Sequence, residues 1–275
     1  MSAEKISCLL VKTDDIYVGI ITETNITHAL HERCAPETTA GTIMSQPLIT
    51  ARDNLDLLSA HHLLDNHDIR HLVVVDSEGK TVGIVSDTDF RLFLGISVFR
   101  NLRTLETVMD RQMPCLPPEA LLEQCIASML ELDMDYVIIT SNGKPVGIIT
   151  ERDMPRLLHD HPNPHTITVA EAMSRPVQSI AQEESVTAAL EIMTQHRLRH
   201  MAALDANGLI VGVISQRRLF EQLALHQMES ALTKARQEHE QRRLESHLQL
   251  AMSALNAGAW EYFHERDQFV VSEPL

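Results

Sequence analysis

The spacing of apolar residues changes between residues 48 and 90, and each spacing predicts a different element. The segment begins with the short extended piece Leu48-Ile49-Thr50. Apolar side chains then recur every three or four positions, at Leu57, Ala60, Leu63 and Leu64. That spacing predicts an amphipathic helix. Two β-forming runs, HLVVVD and TVGIVS, flank the turn SEGK and predict a hairpin. A final helix opens at DTDF, so the order is β-α-β-β-α.

The same arrangement returns along the chain, marked by a glycine-led phrase. The phrase reads GIITETN at 19–25, GIVSDTD at 83–89, GIITERD at 147–153 and GVISQRR at 212–218. Its glycines are separated by 64, 64 and 65 residues, and a second marker, Met44, Met109 and Met173, by 65 and 64. A fixed period over this length predicts a repeat architecture. Each copy is too small to be very stable alone.

We name the copies repeat 1 to repeat 4, and the register predicts their bounds as 1–30, 42–95, 107–158 and 171–223. Repeat 1 is a partial copy. Alignment of MSAEKISCLLV with MTQHRLRHMAAL places Met1 opposite Met193, so the opening strand and most of the first helix are missing. A half-unit exposes apolar surface and a sheet edge, which predicts a partner chain or disorder there.

The connections between the repeats predict that they form two pairs. After repeats 1 and 3, a helix ends with Leu-His and an acid, and Pro-containing coil follows. After repeat 2, the segment FRLFLGISVFRNLRTLETVM is apolar-periodic and reads as a continuing helix. The true period is therefore about 128 residues, with repeats 1 and 2 in one pair and repeats 3 and 4 in the other.

A long linker helix is predicted over 224–255, because residues 221 to 255 contain no Gly or Pro. Apolar residues recur there in two phases: Leu225, Met228, Leu232 and Ala235, then Leu244, Leu248, Ala251 and Leu255. This stripe favours pairing with the same helix of a second copy in a homodimer. The alternative is a capping helix packed on repeat 4.

Composition and charge disfavour several classes of function. The net charge of −15 disfavours capture of nucleic acid or of an anionic membrane. The four cysteines stand singly, which is typical of free thiols in the reducing cytoplasm. There is no signal peptide and no apolar run long enough to span a bilayer. No metal-binding histidine spacing on a plausible helix, Walker-type loop or nucleophile elbow is present, so we expect neither a metal site nor an enzyme within these residues.

The tandem β-α-β-β-α units with the phrase G-h-h-[ST]-x-x-D resemble the CBS domain, and two consecutive copies resemble a Bateman module. The resemblance covers residues 1 to about 223. It implies an α/β (α+β) fold of repeats paired into two Bateman modules, followed by the long helix. It also implies that clefts between paired repeats bind an adenine nucleotide (AMP, ADP or ATP) or an adenosyl ligand such as S-adenosylmethionine. The sequence does not choose among these and a cyclic dinucleotide.

The resemblance also implies where such a ligand binds. In this family the hydroxyl and the final acid of the phrase contact phosphate and ribose, which matches Ser86 with Asp89 and Thr150 with Asp153. Weaker matches, which lack the acid, are Thr22 with Asn25 and Ser215 with Arg218. The short first strand often holds the base, here at Ile49, Thr50, Cys115 and Leu116. The nearest cations for a phosphate are Arg70 and Arg152.

Physical reasoning supports this site and also supplies its alternative. The hydroxyl lies where a strand turns into a helix, so backbone N–H groups and the positive helix end face a ligand phosphate. A carboxylate one turn later accepts ribose hydroxyl hydrogens. The same residues, however, form a capping pattern without any ligand. The chain could therefore be a ligand-free dimerisation scaffold, and its acidic charge also permits a divalent-cation sensor at the pair interface.

The last predicted region, residues 256–275, follows the long helix. The tail LQLAMSALNAGAWEYFHERDQFVVSEPL resembles the opening of a PAS domain, with a helix, a strand and a second extended piece. Bacterial CBS–PAS proteins frequently end in a histidine kinase or a cyclic-di-GMP enzyme. We therefore expect a sensory and regulatory module of bacterial-type signal transduction, relaying ligand binding through the long helix to a C-terminal output domain.

Overall fold

The computed structural model describes residues 1, 4, 6–86, 89–90, 104–161, 163–255, 260–263 and 268–271, in two compact units, Met1–Phe220 and Glu221–Leu275. The strands are β1 Cys8–Thr13, β2 Ile16–Thr22, β3 Thr50–Arg52, β4 His71–Val75, β5 Thr81–Ser86, β6 Cys115–Leu116, β7 Tyr136–Ser141, β8 Lys144–Thr150, β9 Ser179–Ala181, β10 His200–Leu204, β11 Ile210–Ser215, β12 Trp260–Phe263 and β13 Gln268–Val271. The helices are α1 Glu23–His31, α2 Ala40–Ile43, α3 Leu57–His67, α4 Leu122–Glu131, α5 Met154–Asp160, α6 Val169–Ala172, α7 Val186–Gln195 and α8 Gln216–Leu255. Short 3-10 turns cover Leu105–Thr107, Glu151–Asp153 and Pro164–Thr166.

Repeats 2, 3 and 4 each form a three-stranded sheet. The strand orders are β3-β4-β5, β6-β7-β8 and β9-β10-β11, with the first pair parallel and the second pair an antiparallel hairpin. Repeat 1 contains the hairpin β1–β2 followed by α1, and the described residues before Cys8 form neither strand nor helix. The predicted α/β fold built from repeated units is therefore confirmed.

Helix α3 shows how the periodic pattern specifies local structure. Asp56 caps its N-terminus by accepting a hydrogen bond from the Ser59 N–H at 3.0 Å. Ala60 and Leu64 are buried on the predicted apolar face. The helix ends where Asp68 adopts a left-handed conformation with a φ of 50°, which Asp tolerates better than most residues.

The pairing of the repeats rests on the two sequence markers, because each marker methionine packs on a glycine of another repeat. The three contacts join Met44 to Gly19, Met109 to Gly212 and Met173 to Gly147. A Cβ atom built on these glycines would lie 2.4, 2.8 and 2.1 Å, respectively, from the methionine Sδ atom, so a glycine is required for this approach. Repeat 2 thus packs on repeat 1, and repeats 3 and 4 pack on each other reciprocally, which confirms the predicted pairs.

Backbone pairing extends each contact by one residue. We call residues 42–45, 107–110 and 171–174 the opening segments of repeats 2, 3 and 4. The last residue of each segment exchanges two backbone hydrogen bonds of 2.8 to 3.0 Å with a strand of the paired repeat: Ser45 with Ile20, Asp110 with Val213 and Ser174 with Ile148. The opening segments therefore fix the register between the paired repeats.

Apolar cores lie within and between the repeats. Helix α4 supplies the centre of one core with four residues that are at most 1% exposed, namely Leu122, Cys125, Ile126 and Met129. Leu30 of α1 joins that cluster, so repeat 1 packs on repeat 3. A second cluster, of Tyr136, Ile138 and Val213, draws on the sheets of repeats 3 and 4. All four cysteines are free thiols, and burial raises the pKa of Cys125 to about 12.

Helix α8 contains the predicted linker helix and begins earlier than predicted, directly after β11. Within its predicted apolar stripe, Leu244 and Leu248 are 64% and 63% exposed. The hairpin β12–β13 forms at the two extended pieces predicted in the tail. None of the helices in the described part of the chain combines the length and apolar character needed to cross a membrane.

The predicted helical connection after repeat 2 falls mostly on residues 91–103, which lie outside the described residues. At its end, Leu105–Thr107 forms a 3-10 turn rather than the continuing helix that was predicted. The turn leads into the opening segment of repeat 3, whose Asp110 must leave the helical conformation to pair with the backbone of repeat 4.

Candidate functional site

In repeats 1, 3 and 4 the glycine-led phrase ends at a junction where a strand gives way to a helix or a 3-10 turn. In all four repeats the hydroxyl residue bonds to the last residue of the phrase. At Thr150, the backbone N–H and the hydroxyl both donate to the Asp153 Oδ2 atom at 2.9 Å, and the contacts form a capping box. At Ser86, the same two groups donate to the Asp89 Oδ2 atom at 2.9 and 2.7 Å. The structure therefore brings together the hydroxyl and the acid that the sequence singled out, at both junctions.

Repeat 1 shows that an amide serves the cap as well as an acid does. Thr22 donates its N–H and its hydroxyl to the Asn25 Oδ1 atom at 2.8 and 2.9 Å, which completes a capping box. In repeat 4, the Ser215 hydroxyl accepts from the Arg218 N–H at 3.1 Å. Capping therefore explains the constant hydroxyl but not the variable last residue of the phrase.

The last residue of the phrase also reaches the opening segment of the paired repeat. The Asn25 Nδ2 group donates to Ser45 Oγ at 3.0 Å, Ser174 Oγ donates to Asp153 Oδ1 at 3.3 Å, and Arg218 Nε pairs with Asp110 Oδ1 at 3.4 Å. The change from amide to acid to cation thus matches the chemistry of the facing residue. These contacts place Asp153 at the contact between repeats 3 and 4.

Other residues predicted for the site lie on separate elements. Thr50 begins β3, two residues later than the predicted extended piece, and Ile49 precedes it. Cys115 and Leu116 form β6. Arg152 lies in the 3-10 turn after β8 and is exposed. Within the described residues, no side-chain hydrogen bond joins any of these five to an acid of the phrase.

Arg70 lies in a group of charges that we call the central charge cluster: Glu23, Arg70, Asp135, Glu151, Arg199 and His200. The guanidinium of Arg70 forms an ion pair with Asp135 at 2.8 Å and another with Glu151. It also donates to the Thr24 hydroxyl at 2.6 Å. Because Glu151 is 5% exposed, these bonds connect Arg70 of repeat 2 to the interior of repeat 3.

The remaining bonds of the central charge cluster join the other repeats. Arg199 Nη1 pairs with Glu23 Oε2 at 2.7 Å, which connects repeat 4 to repeat 1. His200 Nε2 lies 2.9 Å from Asp135 Oδ1, which connects repeat 4 to repeat 3. The cluster therefore links the two pairs of repeats through charged side chains.

Arg199 is a candidate that the sequence reasoning missed. Ser7, Arg70, Asp135 and Arg199 each stand one residue before the first strand of a hairpin. The repeat register contains this signal, because the four residues occupy one column of the aligned copies. Their approach to one another depends on packing between copies, so no single copy could reveal it.

The charges of the cluster shift one another's pKa values. Burial would lower the pKa of Arg70, but the carboxylates of Glu151 and Asp135 raise it above its usual value. Burial would raise the pKa of Asp135, but the neighbouring histidine and the two arginines hold it well below its usual range. Burial and the positive charges of Arg70 and Arg199 lower the pKa of His71 to about 4. The folded state thus favours charged pairs beside a neutral His71.

These groups are suited to binding an anion or a hydroxylated ligand. The junctions carry N–H and hydroxyl donors at helix N-termini, which can bind phosphate oxygens. The acids of the phrase can accept hydrogen bonds from sugar hydroxyls, and the cluster holds two guanidinium groups that fit phosphate. In the part of the chain that the structure describes, no group of three or more His, Cys, Asp or Glu residues could hold a metal ion.

Comparison with known protein families gives three matches to one family model, that of the CBS domain. The matched segments are residues 40–95, 105–160 and 169–225, which together cover more than half of the chain. Residues 1–30, assigned to repeat 1 by the sequence register, lie outside them.

Solved structures and curated proteins show the same likeness. Protein MJ1225 from Methanocaldococcus jannaschii, proposed as an archaeal homologue of g-AMPK, has a TM-score of 0.70 at 20% identity, covering 80% of this chain and 88% of that one. A conserved protein from Pyrococcus horikoshii has a TM-score of 0.55 at 22% identity, covering 79% and 91%. L-aspartate semialdehyde sulfurtransferase from M. jannaschii is 31% identical over 124 residues, which is 45% of this chain and 24% of that enzyme. The chain thus matches about a quarter of that enzyme's length, and the two solved structures show likeness of fold alone.

Proposed function

The chain belongs to the CBS-domain family, and we propose that it is a non-catalytic, cytoplasmic regulatory module that binds an adenine nucleotide or a related adenosyl ligand between paired repeats. The candidate ligands are AMP, ADP, ATP and S-adenosylmethionine, which share a ribose and an adenine ring. The observation that carries the proposal is the position of Asp153, whose carboxylate lies at a helix N-terminus and faces the opening segment of repeat 4.

The two oxygens of Asp153 are bonded unequally, which leaves one of them open to exchange. Its Oδ2 atom accepts the two short bonds from Thr150. Among the described residues, its Oδ1 atom has only longer contacts, with Ser174 at 3.3 Å and with Arg156 at 3.4 Å. Contacts of that length are weak, so ribose hydroxyls can replace them while the cap on Thr150 remains. Asp89, which is exposed and bonded to Ser86 in the same way, is the corresponding candidate in the other pair.

The central charge cluster supplies a physical route from ligand to conformation. The side chains of Arg70 and Arg199 are 25% and 23% exposed, so a ligand phosphate can approach them. A phosphate there competes with the carboxylates that now hold the arginines. Because those carboxylates come from other repeats, the exchange changes the contact between the two pairs. The ligand then favours one arrangement of the pairs over another by its own binding energy.

We further propose that α8 relays this change to a C-terminal output domain of a bacterial-type signalling protein. The helix begins at Gln216, directly after β11, and Arg218 in its first turn pairs with Asp110 of repeat 3. Its 40 residues extend about 60 Å. The exposed Leu244 and Leu248 suit pairing with the same helix of a second copy in a homodimer. The hairpin β12–β13 suits the start of a PAS domain.

The substitution Asp153→Asn tests the ligand site without removing the cap, because Asn25 forms the same capping box in repeat 1. A nucleotide at about 100 times its Kd should stabilise the parent by about 2.7 kcal/mol, a clear rise in Tm. We expect Asp153→Asn to keep the ligand-free Tm and to lose most of the rise. The matched control, Asp56→Asn, makes the same change at a helix cap outside the phrase and should keep both, because Asn caps a helix about as well as Asp does. A variant Asp153→Asn that responds to nucleotide as the parent does would refute the role of this carboxylate.

A ligand-free dimerisation scaffold is the second candidate, and a specific observation favours it. The hydroxyls of the phrase and the arginines of the cluster already have partners within the chain. On that account, AMP, ADP, ATP and S-adenosylmethionine leave the Tm of the parent unchanged. The substitution Asp153→Asn then lowers the stability of the folded chain by no more than an altered helix cap does, which is about 1 kcal/mol.

A further inference from the structure

Among the described residues, nothing makes the contact to the sheet of repeat 2 that the other three sheets have. In repeats 1, 3 and 4, the glycine of the phrase is covered by the methionine of an opening segment. At Gly83, no atom of the described residues lies within 4 Å of a built Cβ atom. The flanking Val82 and Ile84 are 56% and 38% exposed. Strand β5 therefore presents an apolar strip at the position where its three counterparts are covered.

The three covered sheets specify the chemistry of an occupant for the strip. In each, a methionine lies over the glycine, and the next residue pairs with the backbone of the strand residue after that glycine. In repeat 2 the corresponding strand residue is Ile84. The side chain after the methionine also bonds to the last residue of the phrase, as Ser174 does to Asp153 at 3.3 Å. The corresponding residue in repeat 2 is Asp89, an acceptor, so the occupant must offer a donor there.

We propose that the β5 face of repeat 2 is a docking site for an extended polypeptide segment in which methionine is followed by serine or threonine. The methionine lies over Gly83, the following residue pairs with the backbone of Ile84, and its hydroxyl donates to Asp89. Serine at this position already meets an acid of the phrase in repeat 3 and an amide in repeat 1. The occupant is therefore a segment with the chemistry of the chain's own opening segments.

The site is tested by supplying such a segment to the full chain. The probe is the sequence of residues 168–177, TVAEAMSRPV, fused ahead of Met1 through a flexible Gly/Ser linker. The linker holds the segment at an effective concentration near the millimolar range, so even weak docking becomes visible. We expect the fusion to raise the Tm by about 3 °C or more. The matched control carries the same fusion with glycine in place of its methionine and should show no rise.

A substitution on the strand distinguishes docking from a general effect of the fusion. Gly83→Ala should not destabilise the unfused chain, because no atom of the described residues lies near the position of the new Cβ. In the fusion it should abolish the rise, because the new Cβ takes the place of the methionine sulfur. The proposal is wrong if the fusion and its glycine control melt together, or if Gly83→Ala leaves the rise intact. It is also wrong if the unfused chain is a dimer that Ile84→Asp turns into a monomer, since a second copy then covers the strip.

Discussion

Replacement of Gly147 by alanine should destabilise the pair formed by repeats 3 and 4. A Cβ atom at this position would lie 2.1 Å from the Met173 Sδ atom, 2.7 Å from its Cγ and 2.9 Å from its Cβ. Rotation of the methionine side chain moves the sulfur but not the Cβ atom, so the opening segment itself has to shift. Overpacking of this kind costs about 1–3 kcal/mol. The backbone bonds between Ser174 and Ile148 lie next to the shift and should weaken with it.

Gly83→Ala is the matched control, because it makes the same change at the same position of the phrase, where no methionine of the described residues lies above the glycine. It should be neutral or should stabilise by up to about 1 kcal/mol, since alanine restricts the unfolded chain. Urea denaturation measures the stability of both variants and of the parent. If the three curves share one slope, the difference in midpoint gives the difference in the free energy of unfolding. Met173→Ala in the Gly147→Ala background should restore part of the lost stability, as expected for two residues in contact. Equal midpoints for Gly147→Ala and Gly83→Ala would refute the proposed role of the marker methionines.

Two further predictions concern the central charge cluster and His71, on which two of its arginines act. Glu23 is 3% exposed and pairs with Arg199, so Glu23→Gln should cost about 2 kcal/mol by leaving a charged donor underpaired. The control Glu123→Gln breaks a surface pair with Arg33 and should cost less than about 1 kcal/mol; equal losses in urea denaturation would contradict the buried pairing. Burial and nearby arginines lower the pKa of His71 from 6.5 to about 4, so the unfolded chain takes up this proton at higher pH than the folded chain. Above pH 6.5 protonation of His71 should not lower the free energy of unfolding. As the pH falls from 6.5 to 4, the free energy of unfolding should decrease by up to about 3 kcal/mol. His71→Gln should flatten the pH dependence of stability in that window, and an unchanged profile would count against the assignment.

The elements of the repeats follow from local patterns in the sequence. The spacing of Leu57, Ala60 and Leu64 predicts α3, and the alternation around SEGK predicts the hairpin of repeat 2. These predictions succeed because helix and strand periodicity is set within a few residues of each position. Strand β3 begins two residues later than the sequence predicts, because the ends of a short strand depend on the partner that pairs with it.

Contacts between repeats could not be predicted from the same patterns. The marker glycines and methionines were visible as a period, but the sequence did not show that Met173 lies on Gly147. Arg70 was predicted as a partner for a phosphate, yet in the structure it is held by Asp135 and Glu151. Arg199 was missed for the same reason, because its position gains meaning only when residues of different copies meet. Whether a ligand replaces those carboxylates stays a prediction.

Titration calorimetry of the full chain tests the central claim most directly. AMP, ADP, ATP and S-adenosylmethionine would each be titrated into the parent, and the ligand that binds would then be titrated into Asp153→Asn and Asp56→Asn. We expect saturable binding to the parent, a large loss of affinity in Asp153→Asn, and parent-like binding in Asp56→Asn. Binding that is unchanged in Asp153→Asn, or no binding of any of the four ligands to the parent, would contradict that claim.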